Sequence, residues 1–172
     1  MKFKNGDFVV HPQHGVGQVV ALSEREFTPG TKQPYYEIAI AGGSVWVPVD
    51  LSISGLRGLA VKSEITHCRQ ILEASPSPLS EDARYRRSEQ AARLKQGTLQ
   101  AQCEVVRDLY AFGEHRSMNG TIGSFYQAVR DALCQEWAFV EGITRTQAVM
   151  EIDRLLEKSR ETLKRSNALA GG

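Results

Sequence analysis

Hydrophobic residues follow two different periods along the chain, and the period changes near residue 60. Before that point, short apolar runs of the strand type occupy 8–10, 16–22, 35–40 and 45–49. Proline and glycine separate the later runs, as is typical of turns, at Pro29-Gly30 and Gly42-Gly43. A sheet of so few strands has exposed edges unless it closes on itself, so we expect a small SH3-like or Tudor-like β-barrel.

Beyond Lys62, apolar residues recur every three or four positions, which indicates amphipathic helices. The segment 75–78 (Ser-Pro-Ser-Pro) ends the first helix, because proline lacks an amide donor and disfavours helix in the preceding residue. Ser80 is predicted to cap the next helix and Gly97 to close it. These stripes predict a compact helical bundle.

Two further helix starts are marked by polar residues. Thr98 precedes a stripe that continues through residue 110, and Thr144 with Gln147 has the spacing of a capping box. The fold class is therefore α+β multidomain, with an N-terminal SH3-like or Tudor-like barrel followed by a C-terminal all-α bundle. We expect a barrel at 1–60, a connecting helix and linker at 61–78, a helical domain at 79–165 and a flexible tail at 166–172.

Composition narrows the class of protein. The 172 residues are 41% hydrophobic and 24% charged, as in a folded globular protein, and the formal net charge is only +1. Any contact with nucleic acid must therefore come from a local cluster of charge. No apolar run is long enough to span a bilayer, so we expect a cytoplasmic protein without a membrane partner. Cys68, Cys103 and Cys134 are odd in number and far apart, which favours buried, reduced thiols.

The sequence offers little for catalysis. The acid-base candidates are His11, His14, His67 and His115, and none has a neighbour at a catalytic or metal-binding spacing. His11 and His14 could share a metal only if Asp7 completed the shell, and a structural turn is the favoured interpretation. Phosphate-binding loops and serine-nucleophile motifs are also missing. We expect no enzyme activity, no cofactor, no metal and no small-molecule substrate.

Positive charge concentrates in the helix that opens the second domain. Its cations are Arg84, Arg86, Arg87, Arg93 and Lys95, against the single acid Glu89. At about 100° per residue, Arg84, Arg87 and Lys95 point to one side, whereas Arg86 and Arg93 point nearly opposite. A weak, salt-dependent DNA contact and an ordinary solvated helix face both fit this arrangement.

Several segments resemble the CarD family of bacterial transcription factors. Residues 4–17 (KNGDFVVHPQHGVG) are similar to the opening of these proteins, and the pattern continues at 35–38, 47–49 and 55–57. The segment 105–109 (VVRDL) is similar to the family's second domain. The resemblance covers nearly the whole chain and implies a Tudor-like domain that binds the lobe of the RNA polymerase β subunit, partly by pairing an edge strand. We expect the protein to be a monomer.

The resemblance also implies residue roles. Arg25 and Trp46 fall where the family contacts polymerase, although Trp46 could instead cover the barrel core. The family's second domain stabilises open promoter complexes at the upstream edge of the bubble, with basic residues and a tryptophan wedge in the minor groove. The wedge position here is Ala83, so promoter DNA contact is expected to be weak and dependent on polymerase. Tyr85 points elsewhere, and Trp137 lies in an apolar stripe that favours burial.

The sequence is also compatible with two other functions. In the first, the barrel binds polymerase but the helical bundle contacts another protein and no DNA. In the second, the barrel is an unrelated peptide or RNA binder with an aromatic cage, which would be built from Phe8, Tyr35, Tyr36 and Trp46.

Overall fold

The computed structural model describes residues 3–50, 54–113 and 120–171. In this part of the chain a sheet is followed by helices, and the expected α+β class is confirmed. The strands are β1 (Phe8–His11), β2 (Gly15–Thr28), β3 (Thr31–Ile40), β4 (Gly43–Pro48) and β5 (Arg57–Gly58). The helices are α1 (Lys62–Glu73), α2 (Ala83–Leu94), α3 (Leu99–Phe112), α4 (Gly120–Glu141) and α5 (Arg145–Ala170).

The sheet is antiparallel, with strand order β4-β3-β2-β1-β5. Its own core contains Val9, Val19, Tyr36, Ile38 and Val47, which occupy alternate positions of the paired strands. The expected closure is wrong for the described strands, because β4 and β5 stand at the two ends of the order and do not pair. The sheet is Tudor-like but open, and β4 is an edge strand.

The helices enclose a separate and larger core. Its fully buried members include Leu109 of α3, Leu133 and Trp137 of α4, and Leu156 of α5. The apolar stripes face each other, as their periods predict. Helix α1, which lies in the segment assigned to a connecting helix and linker, contributes Ile65, Cys68 and Leu72 to this core.

Two of the three predicted helix starts are confirmed. Thr98 and Thr144 are the N-caps of α3 and α5, and their hydroxyl groups accept hydrogen bonds from the amides of Ala101 and Gln147. Ser80 is a wrong prediction, because the N-cap of α2 is Asp82. The Asp82 carboxylate accepts from the Tyr85 amide at 2.7 Å and is better matched to the positive helix end than a hydroxyl.

Gly97 has the positive φ of +64° expected after a helix, and its amide donates to the Leu94 carbonyl. The final helix, α5, extends to Ala170 and so reaches into the expected flexible tail at 166–172, since no helix breaker precedes Gly171.

The sheet and the bundle are joined by a buried ion pair. Arg57 of β5 donates two hydrogen bonds of 2.6 Å each to the two carboxylate oxygens of Glu136 in α4. Arg57 also donates to the Gln102 side chain, and Glu136 accepts from the Ala60 amide. A charged pair held by this many bonds fixes the end of the sheet against α4.

A second contact joins the turn between β1 and β2 to the same helix. The Val16 amide donates to the Gln135 side chain at 3.1 Å, and the Phe8 and Phe139 rings lie 5.7 Å apart. Gly15 has φ +78°, a backbone conformation that favours glycine, and a Cβ there would lie 1.9 Å from the side-chain oxygen Oε1 of Gln135. A larger residue would therefore displace the Gln135 side chain from its bond to the Val16 amide.

Candidate functional site

Arg25 and Trp46 lie on one face of the sheet, although 20 residues of chain separate them. Strand register explains this, because Trp46 pairs with Glu37, Glu37 pairs with Ala21, and Ala21 and Arg25 differ by an even number of positions. The Arg25 guanidinium carbon stands 4.0 Å from the centre of a Trp46 ring. This is a cation–π contact at the protein surface, where Arg25 is exposed and Trp46 half-buried.

This outer face is distinct from the sheet core, so Trp46 does not cover the core residues. The neighbours of Trp46 on β4, Val45 and Val47, pair with Ile38 and Tyr36 and point to the core side. Trp46 also belongs to the edge strand, whose outward backbone groups are not paired by another described strand. A cation, an aromatic ring and an open strand edge therefore stand together.

The aromatic cage considered for the barrel is wrong. Tyr36 is fully buried in the sheet core, and Tyr35 is only 7% exposed, with Phe27 packed edge-on against it at 4.8 Å. Phe8 is exposed but faces Phe139 of the bundle. Adjacent strand residues such as Tyr35 and Tyr36 also point to opposite faces, so these rings cannot surround one ligand.

The cations of α2 divide as the helical wheel predicts. Arg84, Arg87 and Lys95 are exposed, and none of them forms an ion pair within the described residues. Together they make an α2 cationic face. Exposed guanidinium and ammonium groups without an acidic partner among the described residues can contact phosphate oxygens.

Arg86 is directed inward and is only 7% exposed. Its Nη1 donates to the Ser80 carbonyl at 2.6 Å and to the Glu81 carbonyl at 3.2 Å, and its guanidinium lies 4.1 Å from the Phe112 ring centre. The side chain therefore fixes the segment before α2 to the end of α3. Arg86 is therefore not the exposed phosphate contact that the sequence predicts, because burial leaves it little access to a duplex.

Arg93 is also engaged inside the bundle. It forms 2.9 Å ion pairs with Asp108, whose side chain is fully buried, and with Glu104. Burial by itself would lower the pKa of Arg93, but the hydrogen bond and charge of Asp108, together with Glu104, raise it above the ordinary value. Asp108 also accepts from Arg107 and from the Ser77 amide, which ties the proline segment to α3.

The wedge position and the two aromatic residues considered as its substitutes differ in their exposure to solvent. Ala83, the predicted wedge position, is exposed at the first position of the helix. Tyr85 is 62% exposed, whereas Trp137 is fully buried and donates from Nε1 to the Glu151 carboxylate at 3.0 Å. The predicted burial of Trp137 is confirmed.

His11 has a structural role in the turn between β1 and β2. His11 accepts hydrogen bonds at Nδ1 from the amides of Gln13 and His14, and its ring lies 4.4 Å from that of His14. Desolvation, aided by the nearby His14, lowers the pKa of His11 to about 4. His115 lies outside the described residues, and no cluster of three or more potential metal ligands occurs among the residues that are described.

The predicted state of the thiols is confirmed, because Cys68, Cys103 and Cys134 are free and buried. Burial raises the pKa of Cys134 to about 11, and burial together with the adjacent Cys68 raises the pKa of Cys103 well above its ordinary value. The residues that sequence reasoning missed are the Arg57 and Glu136 pair. Arg57 lies in a segment that resembles the CarD family, but no local pattern links it to a carboxylate 79 positions away.

Comparison with known proteins agrees with this architecture. Residues 3–58 match the CarD-like/TRCF RID domain, and residues 67–153 match the C-terminal domain of CarD. A Bacillus subtilis (strain 168) protein named "Putative transcription factor YdeB" is 28% identical over 148 residues, which cover 84% of this chain and 96% of that protein. In the described residues, no helix has the length and apolar character needed to cross a membrane. With both domains matched in order, the chain belongs to the CarD family and is a regulator of transcription.

Proposed function

We propose that the sheet docks on the lobe of the RNA polymerase β subunit through Arg25, Trp46 and the open edge of β4. The observation that carries this proposal is the stacked Arg25 and Trp46 pair beside a strand edge that no other described strand pairs. Arginine and tryptophan are the residues most enriched at energetic centres of interfaces. An edge strand can add a strand from a partner, and its backbone hydrogen bonds then supply affinity.

The second half of the proposal concerns promoter DNA. Three exposed cations on α2 would give a dissociation constant of about 10⁻⁴ to 10⁻⁶ M for duplex DNA, with strong salt dependence. Docking on polymerase raises the effective concentration of DNA to the order of mM, which is enough to fill such a weak site. The helical domain then contacts the upstream edge of the bubble only when the sheet is docked, and it stabilises the open complex.

The docking surface is tested by co-purification with the isolated β-subunit lobe. Arg25→Glu removes the cation–π contact and reverses the charge, so we expect at least about tenfold weaker binding. Arg154→Glu makes the same charge reversal at an exposed position of α5 and should bind normally. Equal binding of Arg25→Glu and the unaltered protein would refute this docking surface.

The DNA contact is tested by the lifetime of an open promoter complex. Arg84→Glu combined with Arg87→Glu should shorten the lifetime while polymerase binding is kept, because only the α2 cationic face is changed. Arg154→Glu is again the matched control. Arg86→Glu is unsuitable, because it would break the hydrogen bonds to the Ser80 and Glu81 carbonyl groups. Its effect on folding could then not be separated from an effect on DNA binding.

A protein-interaction function for the helical domain is the alternative. The observation that favours it is Ala83, whose methyl group cannot fill an opened base step. In that case, the double substitution of Arg84 and Arg87 would leave open-complex lifetime unchanged at every salt concentration, while Arg25→Glu would still abolish docking.

A further inference from the structure

A groove of about 630 Å³ lies between α2 and the first turn of α4. Most of its α2 wall consists of Ala83, Arg84, Arg87, Ser88 and Ala91. These positions are spaced by one, three or four residues, so they form one continuous face of the helix. Thr121 and Ile122 of α4 line the opposite side. We call this space the α2–α4 groove.

The groove is strongly cationic. Arg84, Arg86 and Arg87 all line it, and no acidic side chain is among its lining residues in the described part of the chain. Arg86 forms the buried part of the wall, where its guanidinium is bonded to the Ser80 and Glu81 carbonyl groups. The exposed Arg84 and Arg87 are therefore the groups that can bind a ligand, and their charge favours an anion.

The groove also has an apolar part, formed by Ala83, Ala91 and Ile122. The two alanines leave room for a flat group to lie against the helix. The volume falls within the range of about 300–1,000 Å³ typical of pockets for small organic ligands, and it is far larger than a single phosphate needs. The occupant should therefore combine a planar apolar body with negative charge.

We propose that the α2–α4 groove receives a single unpaired nucleotide from a melted DNA strand. The base lies against the alanines and Ile122, and the flanking phosphates contact Arg84 and Arg87. Guanidinium groups also stack on bases, which strengthens single-strand binding without selecting a sequence. This inference rests on the proposed contact with the promoter bubble and adds to it a preference for unpaired over paired DNA.

Base pairing explains that preference. A base inside a duplex is stacked and paired, so it would have to unstack and unpair before it entered the groove, whereas a melted strand has already lost these contacts. Duplex DNA can still contact the exposed arginines through its phosphates. An acidic peptide also complements the charge, but it offers no planar ring for the apolar wall.

The test uses two neighbouring alanines of α2. Ala91 lines the groove, whereas Ala92 is exposed outside it. Ala91→Leu fills the groove without changing any charge, and Ala92→Leu is the matched control. Binding of the full-length variants to a labelled oligothymidylate and to a duplex of equal strand length is measured by fluorescence anisotropy at low salt.

We expect Ala91→Leu to weaken oligothymidylate binding by at least about fivefold while duplex binding stays constant. Ala92→Leu should change neither. Lys95→Gln, which removes a cation outside the groove, should weaken both kinds of DNA by a similar factor. Thermal melting of each variant shows that the fold is kept, and Ala91→Ser, which fills less space, repeats the test if Ala91→Leu unfolds.

The inference is overturned if Ala91→Leu binds oligothymidylate normally, or if it loses single-stranded and duplex DNA equally. Tighter binding of a labelled polyglutamate peptide than of oligothymidylate would also overturn it. Failure of the proposed function can be told apart from failure of this inference. A protein that does not bind the β-subunit lobe can still show the effect of Ala91→Leu on oligonucleotide binding.

Discussion

Removing one partner of the buried Arg57 and Glu136 pair should destabilise the whole chain. Glu136→Gln preserves the size of the side chain but removes its charge. Arg57, whose side chain is only 10% exposed, then keeps a positive charge beside a fully buried neutral amide. The two bonds of 2.6 Å that now balance this charge are weakened or lost.

The expected cost follows from the burial of the pair. Breaking a buried ion pair by removing one charge typically costs about 3–5 kcal/mol, because the other charge stays desolvated. For a protein of this size, each kcal/mol lowers the melting temperature by about 2–4 °C, so we expect a decrease of roughly 6–20 °C. Such a loss is a large part of the total stability of about 5–15 kcal/mol that is common for a folded domain.

Denaturant unfolding of a double-mutant cycle measures this effect. Arg57→Met and Glu136→Gln are measured singly and together. The double variant should lose about 2 kcal/mol less unfolding free energy than the sum of the two single losses. Glu73→Gln is the matched control, since its pairing with Lys158 is exposed and worth at most about 1 kcal/mol.

Two results would contradict the argument. Additive losses would mean that the two groups do not depend on each other. A loss below about 1 kcal/mol for Glu136→Gln would mean that water reaches the Arg57 and Glu136 pair and that the two charges are not desolvated.

Three further predictions concern other parts of the molecule. The pKa of His11 is about 4 in the folded protein and ordinarily 6.5, so the unfolded chain takes up a proton first; stability should fall by up to about 3 kcal/mol as the pH drops from 6.5 to 4. His11→Asn keeps the acceptor but cannot titrate, and denaturant unfolding across this pH range should show a flatter profile for that variant. The three cysteines should not react with a thiol reagent at neutral pH until the protein unfolds, because all three are buried and burial raises the pKa of Cys134 to about 11; fast labelling of the native protein would contradict this. Gly15→Ala should cost about 2 kcal/mol in thermal unfolding, because strain at φ +78° adds to the loss of the Gln135 bond to the Val16 amide when the Cβ displaces that side chain. Gly30→Ala, at φ +79° in open space, should cost only about 1 kcal/mol of backbone strain, and equal losses would contradict the role of Gln135.

Local signals accounted for most of the elements. The helix stripes, the proline break and the caps at Thr98 and Thr144 all depend on residues within one or two turns, so the sequence was enough to place them. Ser80 shows the limit of such signals. Ser80 and Asp82 are both good caps, and the choice between them was decided by the path of the chain, in which Arg86 donates to the Ser80 carbonyl.

Side-chain direction followed from sequence only where helical periodicity was strong. The separation of Arg86 and Arg93 from Arg84, Arg87 and Lys95 was predicted from the helical wheel. The partners of these side chains could not be predicted in the same way. The carboxylates of Asp108 and Glu104 belong to α3 and reach Arg93 only when the bundle packs. The same cations could otherwise have been a uniform DNA-binding surface.

The sequence by itself determined the two-part plan, the family and most helix boundaries, because these depend on local periodicity, turn chemistry and short motifs. Only the tertiary structure decided that the sheet stays open at β4, that Arg25 stacks on Trp46, and that Arg57 reaches Glu136. Each of these requires residues far apart in the chain to meet, and strand register and helix packing decide which ones do. The physical reason is that long-range contacts are selected by the best burial of the entire chain, which no short segment encodes alone.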